Sequence, residues 1–313
     1  MLMKTFTICP YCQCSLTFRF FKKDNKSFGI AKCTCDEYPI VEGILYLLKD
    51  DRQTGRRAVN FLKRAMFARA IWECLTNSAK THKTIVLGAY LAKRYLKAAL
   101  PLPILLRVLQ FTGPARDWFR YLIVREERDD IHLAYQLVQK LKRTKGVFVD
   151  VGFGIGNFLG LAAKGFPAPQ GTYIGIDKSF LSLLIATLYL ERNNLLLVCS
   201  NVETGIPLLE RKAACILFLD SFWQIHKKRL AIAESSRVLK KGSPIFIVNI
   251  YETTPKTYFW GYGIKPKDLN SYLKANFANI KFMDNALLPK GEIKFLPSAK
   301  VPKEGYSVIA TKK

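Results

Sequence analysis

The chain has 313 residues, half of them apolar, with 49 Lys and Arg against 24 Asp and Glu for a formal charge of +25. Length and apolar share exclude a disordered chain and suit one main domain with an appendage. Charge of that size and sign draws phosphate, whether in nucleic acid or at an anionic membrane, unless it is only solvated surface.

The surplus is uneven. Residues 1–55 carry +2, 56–146 carry +13, 147–253 carry +3 and 254–313 carry +7. It flanks the third segment and largely spares it.

Residues 1–50 read as a small β-rich module. Leu16–Phe20 alternates as a strand does, and Tyr38-Pro-Ile-Val-Glu-Gly43 reads as a strand and turn. Five of the eight cysteines fall here: Cys9, Cys12, Cys14, Cys33 and Cys35. No apolar signal segment precedes them, so a reducing, cytoplasmic setting is expected and a disulfide scaffold is not. Cys9-Pro-Tyr-Cys12 has the spacing of a zinc knuckle, with Cys33-Thr-Cys35 as a tighter second pair. Four thiolates close a tetrahedral site, so Cys9, Cys12, Cys33 and Cys35 are expected to hold a structural Zn2+. Cys14 is a substitute ligand or a spectator.

The polar Asp50–Gly55 stretch marks a first boundary. Residues 56–145 then read as a basic helical linker or cap. Val59, Phe61, Leu62, Ala65, Met66 and Trp72 recur at helical spacing, and a second helix covers Ile85–Leu100 until Pro101 and Pro103 break it. A short helix to Phe111, a turn at Phe111–Pro114 and a helix over Ile131–Leu141 follow. The greasiest stretch, Thr84–Leu109, is interrupted by Lys93, Arg94, Lys97 and Arg107, so no transmembrane segment is expected. Aromatics interleave with charge at Phe61, Phe67, Trp72, Tyr90, Tyr95, Trp118, Phe119 and Tyr121, as nucleic-acid binders arrange them and as helical cores also do.

From residue 146 to 313 strands and helices alternate. Apolar strands at 147–151, 172–176, 195–199, 214–219 and 244–250 are separated by helices at 157–164, 180–191 and 227–239. Such alternation predicts an α/β, Rossmann-like parallel sheet with helices on both faces. The first strand ends in Asp150 and runs into Gly152-Phe-Gly-Ile-Gly156. Glycines there let the backbone approach a ligand, and an acid just before them suits a positively charged one. Asp177 ends the second strand, where a carboxylate can take ribose hydroxyls. Asp220, at the end of the fourth strand, is the first candidate to orient or deprotonate a substrate, with His226 and Tyr251 behind it; a helix cap is the alternative for Asp220. Trp223 and Phe222 either shape an acceptor pocket or pack the core.

These motifs resemble the class I, S-adenosylmethionine (SAM)-dependent methyltransferases of the broad "type 11" group. Val149–Gly156 is similar to their first motif, Gly175-Ile-Asp177 to the second, Leu217–Gln224 to the fourth-strand motif and Arg237-Val-Leu-Lys-Lys-Gly242 to the turn before the fifth strand. The resemblance covers about a third of the chain and implies SAM as cofactor, held by Asp150, Gly152, Gly154, Gly156, Asp177, Asn201, Val202 and Asp220. Asn201 replaces the Asp that usually takes the adenine amine, and Ala213 or Ala214 stands where an Asp commonly precedes the fourth strand.

The cysteine module resembles zinc-ribbon segments found before methyltransferases. It is also similar to a small zinc-ribbon protein that partners with RNA and protein methyltransferases and, more distantly, to the zinc-bearing start of ribosomal RNA guanine methyltransferases. Three functions follow: methyl transfer to a small-molecule or lipid-like acceptor, methyl transfer to RNA (rRNA or tRNA), or SAM binding without catalysis. The first is favoured because no nucleic-acid-specific motif is present; a cytoplasmic enzyme, peripheral at an anionic membrane surface, is the matching expectation.

Overall fold

The computed structural model describes residues 2–21, 27–49, 52–75, 78–97, 100–112, 116–125, 128, 131–134, 136, 146–163, 171–190, 194–252, 262–285, 295–296 and 305–313. The expected turn at Phe111–Pro114 and helix over Ile131–Leu141 lie partly outside these residues.

The chain opens with α1 (Leu2–Phe6) and four strands, β1 (Thr17–Phe20), β2 (Phe28–Lys32), β3 (Glu37–Val41) and β4 (Ile44–Tyr46). A helical segment follows: α2 (Arg52–Lys63), α3 (Phe67–Cys74), α4 (Lys80–Leu96), α5 (Leu102–Phe111) and α6 (Arg116–Val124). The polar stretch after residue 50 is thus mostly the start of α2. Where the apolar spacing predicts one helix through residues 59–72, the chain breaks at Ala65, whose φ of 56° no right-handed helix accepts.

The rest alternates: β5 (Gly146–Val151), α7 (Asn157–Ala163), β6 (Gly171–Asp177), α8 (Phe180–Tyr189), β7 (Leu195–Cys199), β8 (Ala213–Leu219), α9 (Lys228–Val238), β9 (Pro244–Ile250), α10 (Pro266–Lys274), β10 (Phe277–Asp284), β11 (Phe295–Leu296) and β12 (Tyr306–Lys312). Among the described residues the strands join one twelve-stranded sheet in the order β1-β2-β3-β4-β7-β6-β5-β8-β9-β12-β10-β11. From β4 through β9 the neighbours are parallel. β12 enters antiparallel between β9 and β10.

This order places the first parallel strand, β5, in the middle. The chain winds outward from β5 through β6 to β7, then crosses to β8 and β9 on the other side. Strand order therefore reverses between β5 and β8, the switch point at which open α/β sheets form their ligand crevice, outside the carboxyl ends of the strands.

The sheet separates two cores, and side-chain alternation decides which residue joins which. Ile44, Tyr46, Phe148, Leu217 and Leu219 face α7, α8 and the helices α2–α6. Leu45, Leu47, Val147, Val149, Val151, Ile216 and Phe218 face α9 and α10. α8 is buried almost all round because it lies between sheet and helical segment: Tyr46 meets Phe180 at 5.9 Å on one side, and Lys93 Nζ of α4 donates to the Leu188 carbonyl on the other. Ser179 caps it, its hydroxyl accepting from Ser182 N at 3.2 Å.

Candidate cofactor and acceptor site

The glycine turn after β5 is folded by β6. Gly152 N and Phe153 N donate to the Ile176 carbonyl at 2.8 and 3.1 Å, and Gly154 N donates to Asp177 Oδ2 at 2.7 Å. Gly152 and Gly154 have φ of +79° and +57°. At Gly152 a side chain is excluded twice, since a Cβ would also lie 2.2 Å from Ser221 Cβ. At Gly154 a Cβ would meet nothing within 4 Å among the described residues. The backbone there borders open space, as a cradle for a ligand requires.

Asp177 is more occupied than the sequence suggests. Besides Gly154 N, it accepts from Ser179 N at 2.8 Å through Oδ1. The acid thus braces the loop and the start of α8 together. The Lys178 backbone also bonds this carboxylate, which leaves one of its four lone-pair positions for a sugar hydroxyl.

Asp150 is 3 % exposed, and its Oδ1 has no hydrogen-bond partner among the described residues. Burial, and secondly the Asp177 carboxylate, push its acid up to about 7 against the opposing pull of Arg125. A buried acceptor with nothing to accept is costly. A ligand with a positively charged amine removes that cost. A second such atom, Ser200 Oγ, sits just beyond the end of β7. Next to it Asn201 is half-buried and caps the short 3-10 turn Val202–Thr204, Oδ1 accepting from Glu203 N at 3.0 Å; Val202 is buried.

Asp220 stands across the crevice. Its φ of 52° is unusual for a residue with a side chain, and such strain concentrates at functional sites. Its Oδ1 accepts from Trp223 Nε1 at 3.0 Å and Asn249 Nδ2 at 2.7 Å; its Oδ2 accepts from the Tyr121 hydroxyl and pairs with Arg125 Nη1 at 3.2 Å. Those four donors match the four lone-pair positions of a carboxylate. Arg128 Nη2 stands 4.0 Å away. Asp220 thus anchors its neighbours. Trp223 also packs edge-on to Tyr251 at 6.0 Å, and the Tyr251 hydroxyl accepts from Asn249 Nδ2 at 3.0 Å. Burial, then the Asp220 charge, push the Tyr251 phenol upward.

Phe222 is fully buried against Phe218 at 5.3 Å and belongs to the core. His226 is exposed, its ring 4.7 Å from Tyr262, at the side of an open groove of about 820 Å³ that Lys227, Arg229, Lys265 and Tyr272 also line.

Tyr121, Arg125 and Asn249 were not selected from the sequence as site residues. Tyr121 stands out there only as one aromatic among eight, and nothing local announces a partner 99 residues away. The aromatics of the helical segment serve packing: Tyr90 and Phe119 are buried, while Phe61, Phe67, Trp118 and Tyr121 lie against the core. Tyr95, by contrast, is 73 % exposed.

In the N-terminal module Cys9, Cys12, Cys33 and Cys35 converge, their Sγ atoms all within 4.8 Å of one another. Cys9 Sγ lies 3.6 Å and Cys33 Sγ 3.2 Å from Cys35 Sγ. Thiolates around a tetrahedral zinc, each at about 2.3 Å, stand about 3.8 Å apart, so the cluster has nearly the size the ion needs. Cys14 is not among these four.

Among known proteins, a family described as "Methyltransferase domain" matches residues 149–247. No curated protein matches the chain. Similar solved structures include the Haemonchus contortus phosphoethanolamine N-methyltransferase 2 in complex with S-adenosyl-L-methionine, at 13 % identity and a TM-score of 0.47 over 82 % of each chain. The same enzyme with phosphomonomethylethanolamine and S-adenosylhomocysteine gives 15 % and 0.42 over 57 % of this chain and 52 % of that one, so in this match the chain spans about half the length of its relative. A possible histamine N-methyltransferase from Thermotoga maritima gives 18 % and 0.44 over 64 % of this chain and 96 % of that one.

Proposed function

We propose that this chain, whose residues 149–247 form a SAM-dependent methyltransferase domain, methylates a small-molecule or lipid-like acceptor at the crevice between β5 and β8. The observation that carries the cofactor assignment is the buried, unpartnered Oδ1 of Asp150 beside the open backbone at Gly154. Asp150 would hold the ammonium of the methionyl part, Gly152, Gly154 and Gly156 would line its path, and Asp177 would take a ribose hydroxyl. Asn201 and Val202 would border the adenine; Asn201 already spends Oδ1 on its own turn, so recognition there would use its other atoms and the backbone.

The bound sulfonium supplies an electrophilic methyl group. The protein's part is to align a nucleophile with it and to exclude water. Asp220 does this by holding Tyr121 and Arg125 of the helical segment over the crevice. In this reading the acceptor meets a face made by α6, Trp223 and Tyr251.

RNA is the second reading. What favours it is the open groove at His226, where Lys227, Arg229 and Lys265 accompany Tyr262 and Tyr272. Against it, most aromatics of the basic helical segment are spent on packing. Tritiated SAM offered with lipid extract, a metabolite fraction and total RNA separates the two. Label is expected in the lipid or metabolite fraction; label confined to RNA would overturn this reading.

We propose also that Cys9, Cys12, Cys33 and Cys35 hold a structural zinc. Zinc analysis of purified protein should give about one ion per chain, lost in the Cys12→Ser, Cys35→Ser double variant. Metal-free protein with an unchanged melting curve would contradict this.

A further inference from the structure

We infer that α4, α5 and α6 form a docking face for an anionic membrane, from which the acceptor is drawn. The inference rests on the proposed methyl transfer to a lipid-like acceptor and names where that acceptor resides.

α5 divides its apolar residues between two faces. Leu105, Leu106 and Leu109 are at most 2 % exposed and hold the helix to the core, whereas Ile104 is 48 %, Val108 38 % and Phe111 71 % exposed. The latter recur at i, i+4 and i+7, so they form one stripe. At the end of α4, Leu96 is a further outward apolar side chain, 76 % exposed, whereas Tyr95 borders a separate groove with Phe28 and Phe67. Loose packing does not account for this. His82 of α4 lies buried between its neighbours, with Nε2 3.2 Å from the Leu109 carbonyl and its ring 4.9 Å from Phe119, which ties the three helices together. The Tyr189 hydroxyl donates to the Leu100 carbonyl at 2.6 Å and fixes the α4–α5 connection to α8.

The surroundings of the stripe are positive. Residues 80–125 hold nine Lys and Arg against one acid, Asp117; Arg125 is buried on Asp220 and Arg94 pairs with Glu42, and Glu126, Glu127, Asp129 and Asp130 follow in sequence. Lys97, Arg107, Arg116 and Arg120 are exposed, and the Arg116 guanidinium lies 5.8 Å from the Phe111 ring. Apolar side chains that enter the acyl boundary, rimmed by cations at headgroup level, are what an anionic bilayer surface accommodates. An acidic protein would satisfy the charge but not require the exposed aliphatic stripe; a nucleic acid would leave that stripe in water.

α6 joins this face to the crevice. Its exposed residues include Arg116, Arg120 and Val124, while Tyr121 on the helix and Arg125 just after it reach Asp220. An amphiphile leaving the surface beside α6 has one helix to pass before it meets the proposed methyl donor.

Co-sedimentation of the full chain with vesicles tests this. On phosphatidylcholine containing about 30 mol% phosphatidylglycerol, sedimentation is expected, falling at least about tenfold on phosphatidylcholine alone or in about 0.5 M salt. The Ile104→Ser, Phe111→Ser double variant should lose about tenfold in partitioning, and so should Arg116→Glu, Arg120→Glu, with S-adenosylhomocysteine binding unchanged in both. Failure of wild type to sediment, equal binding to both vesicle types, or a loss in these variants of RNA binding alone would overturn the inference. Vesicle binding without S-adenosylhomocysteine binding would instead remove the methyltransferase reading on which it rests.

Discussion

Asp150 is where burial and ligand chemistry meet at a single side chain. Its acid is pushed up to about 7 by burial and by Asp177, so in free protein it is half-protonated near neutrality. A raised folded value favours the folded state below the ordinary carboxylate range, and that contribution fades as pH rises through 7. The proposed contact with the cofactor ammonium has the opposite sign, because it requires the ionised form. Affinity for S-adenosylhomocysteine is therefore expected to increase between pH 6 and 8, as measured by calorimetry, and Asp150→Asn should bind more weakly with a flat profile. A wild-type profile without slope would contradict the role. Asp220 offers a second test at this scale. Arg125→Met leaves its carboxylate buried with one cation fewer, at a cost of about 3–5 kcal/mol in urea unfolding. Asp220→Asn in that background should restore part of the loss; strictly additive losses would show that the two side chains do not act as a pair.

Among the elements, β6 meets β5 at one glycine and the glycine turn after β5 at another too closely for side chains. A Cβ on Gly171 would lie 2.1 Å from the Gly146 carbonyl oxygen, and one on Gly175 2.6 Å from the Phe153 ring. Gly171→Ala must move backbone, while Gly175→Ala can displace Phe153 and with it the glycine turn. The second variant is expected to lose about 1–3 kcal/mol and to weaken cofactor binding as well; lower stability with unaltered binding would separate Phe153 from the site. The cysteine module reaches the same region from the other side. β4 pairs with β7, and Leu47 N donates to the Cys199 carbonyl at 2.7 Å. Tyr11, between the proposed zinc ligands Cys9 and Cys12, hydrogen-bonds both the Leu47 carbonyl (2.9 Å) and Lys49 N (2.8 Å). Ile8 N meanwhile donates to the Pro207 carbonyl at 3.2 Å. The loop from Ser200 to Pro207 is thereby gripped at both ends. Stripping the proposed zinc with a chelator should lower the melting temperature and weaken S-adenosylhomocysteine binding together. Metal loss that leaves binding intact would mean the module is only an appendage.

For the molecule as a whole, what could be read ahead of the structure was what is local and periodic. The continuous apolar runs of β5 to β9 mark a parallel sheet because strands covered on both faces have no polar side. The glycine turn and Asp177 belong together because adjacent strands end beside one another. Other features have no local signature. Ala65 breaks a helix without glycine or proline, β4 joins β7 across some 150 residues of intervening chain, and Tyr121 and Arg125 meet Asp220 through tertiary packing alone. The charge pattern was visible as a number; its meaning depends on which apolar neighbours share the surface, as α5 shows.

Titration calorimetry of S-adenosylhomocysteine into the wild-type chain and into Asp177→Ala reaches the central claim most directly. Saturable binding by wild type, weakened about tenfold to a hundredfold in the variant through loss of the ribose acceptor and of the Gly154 brace, is the result expected. No heat of binding in the wild type, or the same affinity in both proteins, would contradict a cofactor site at the ends of β5 and β6.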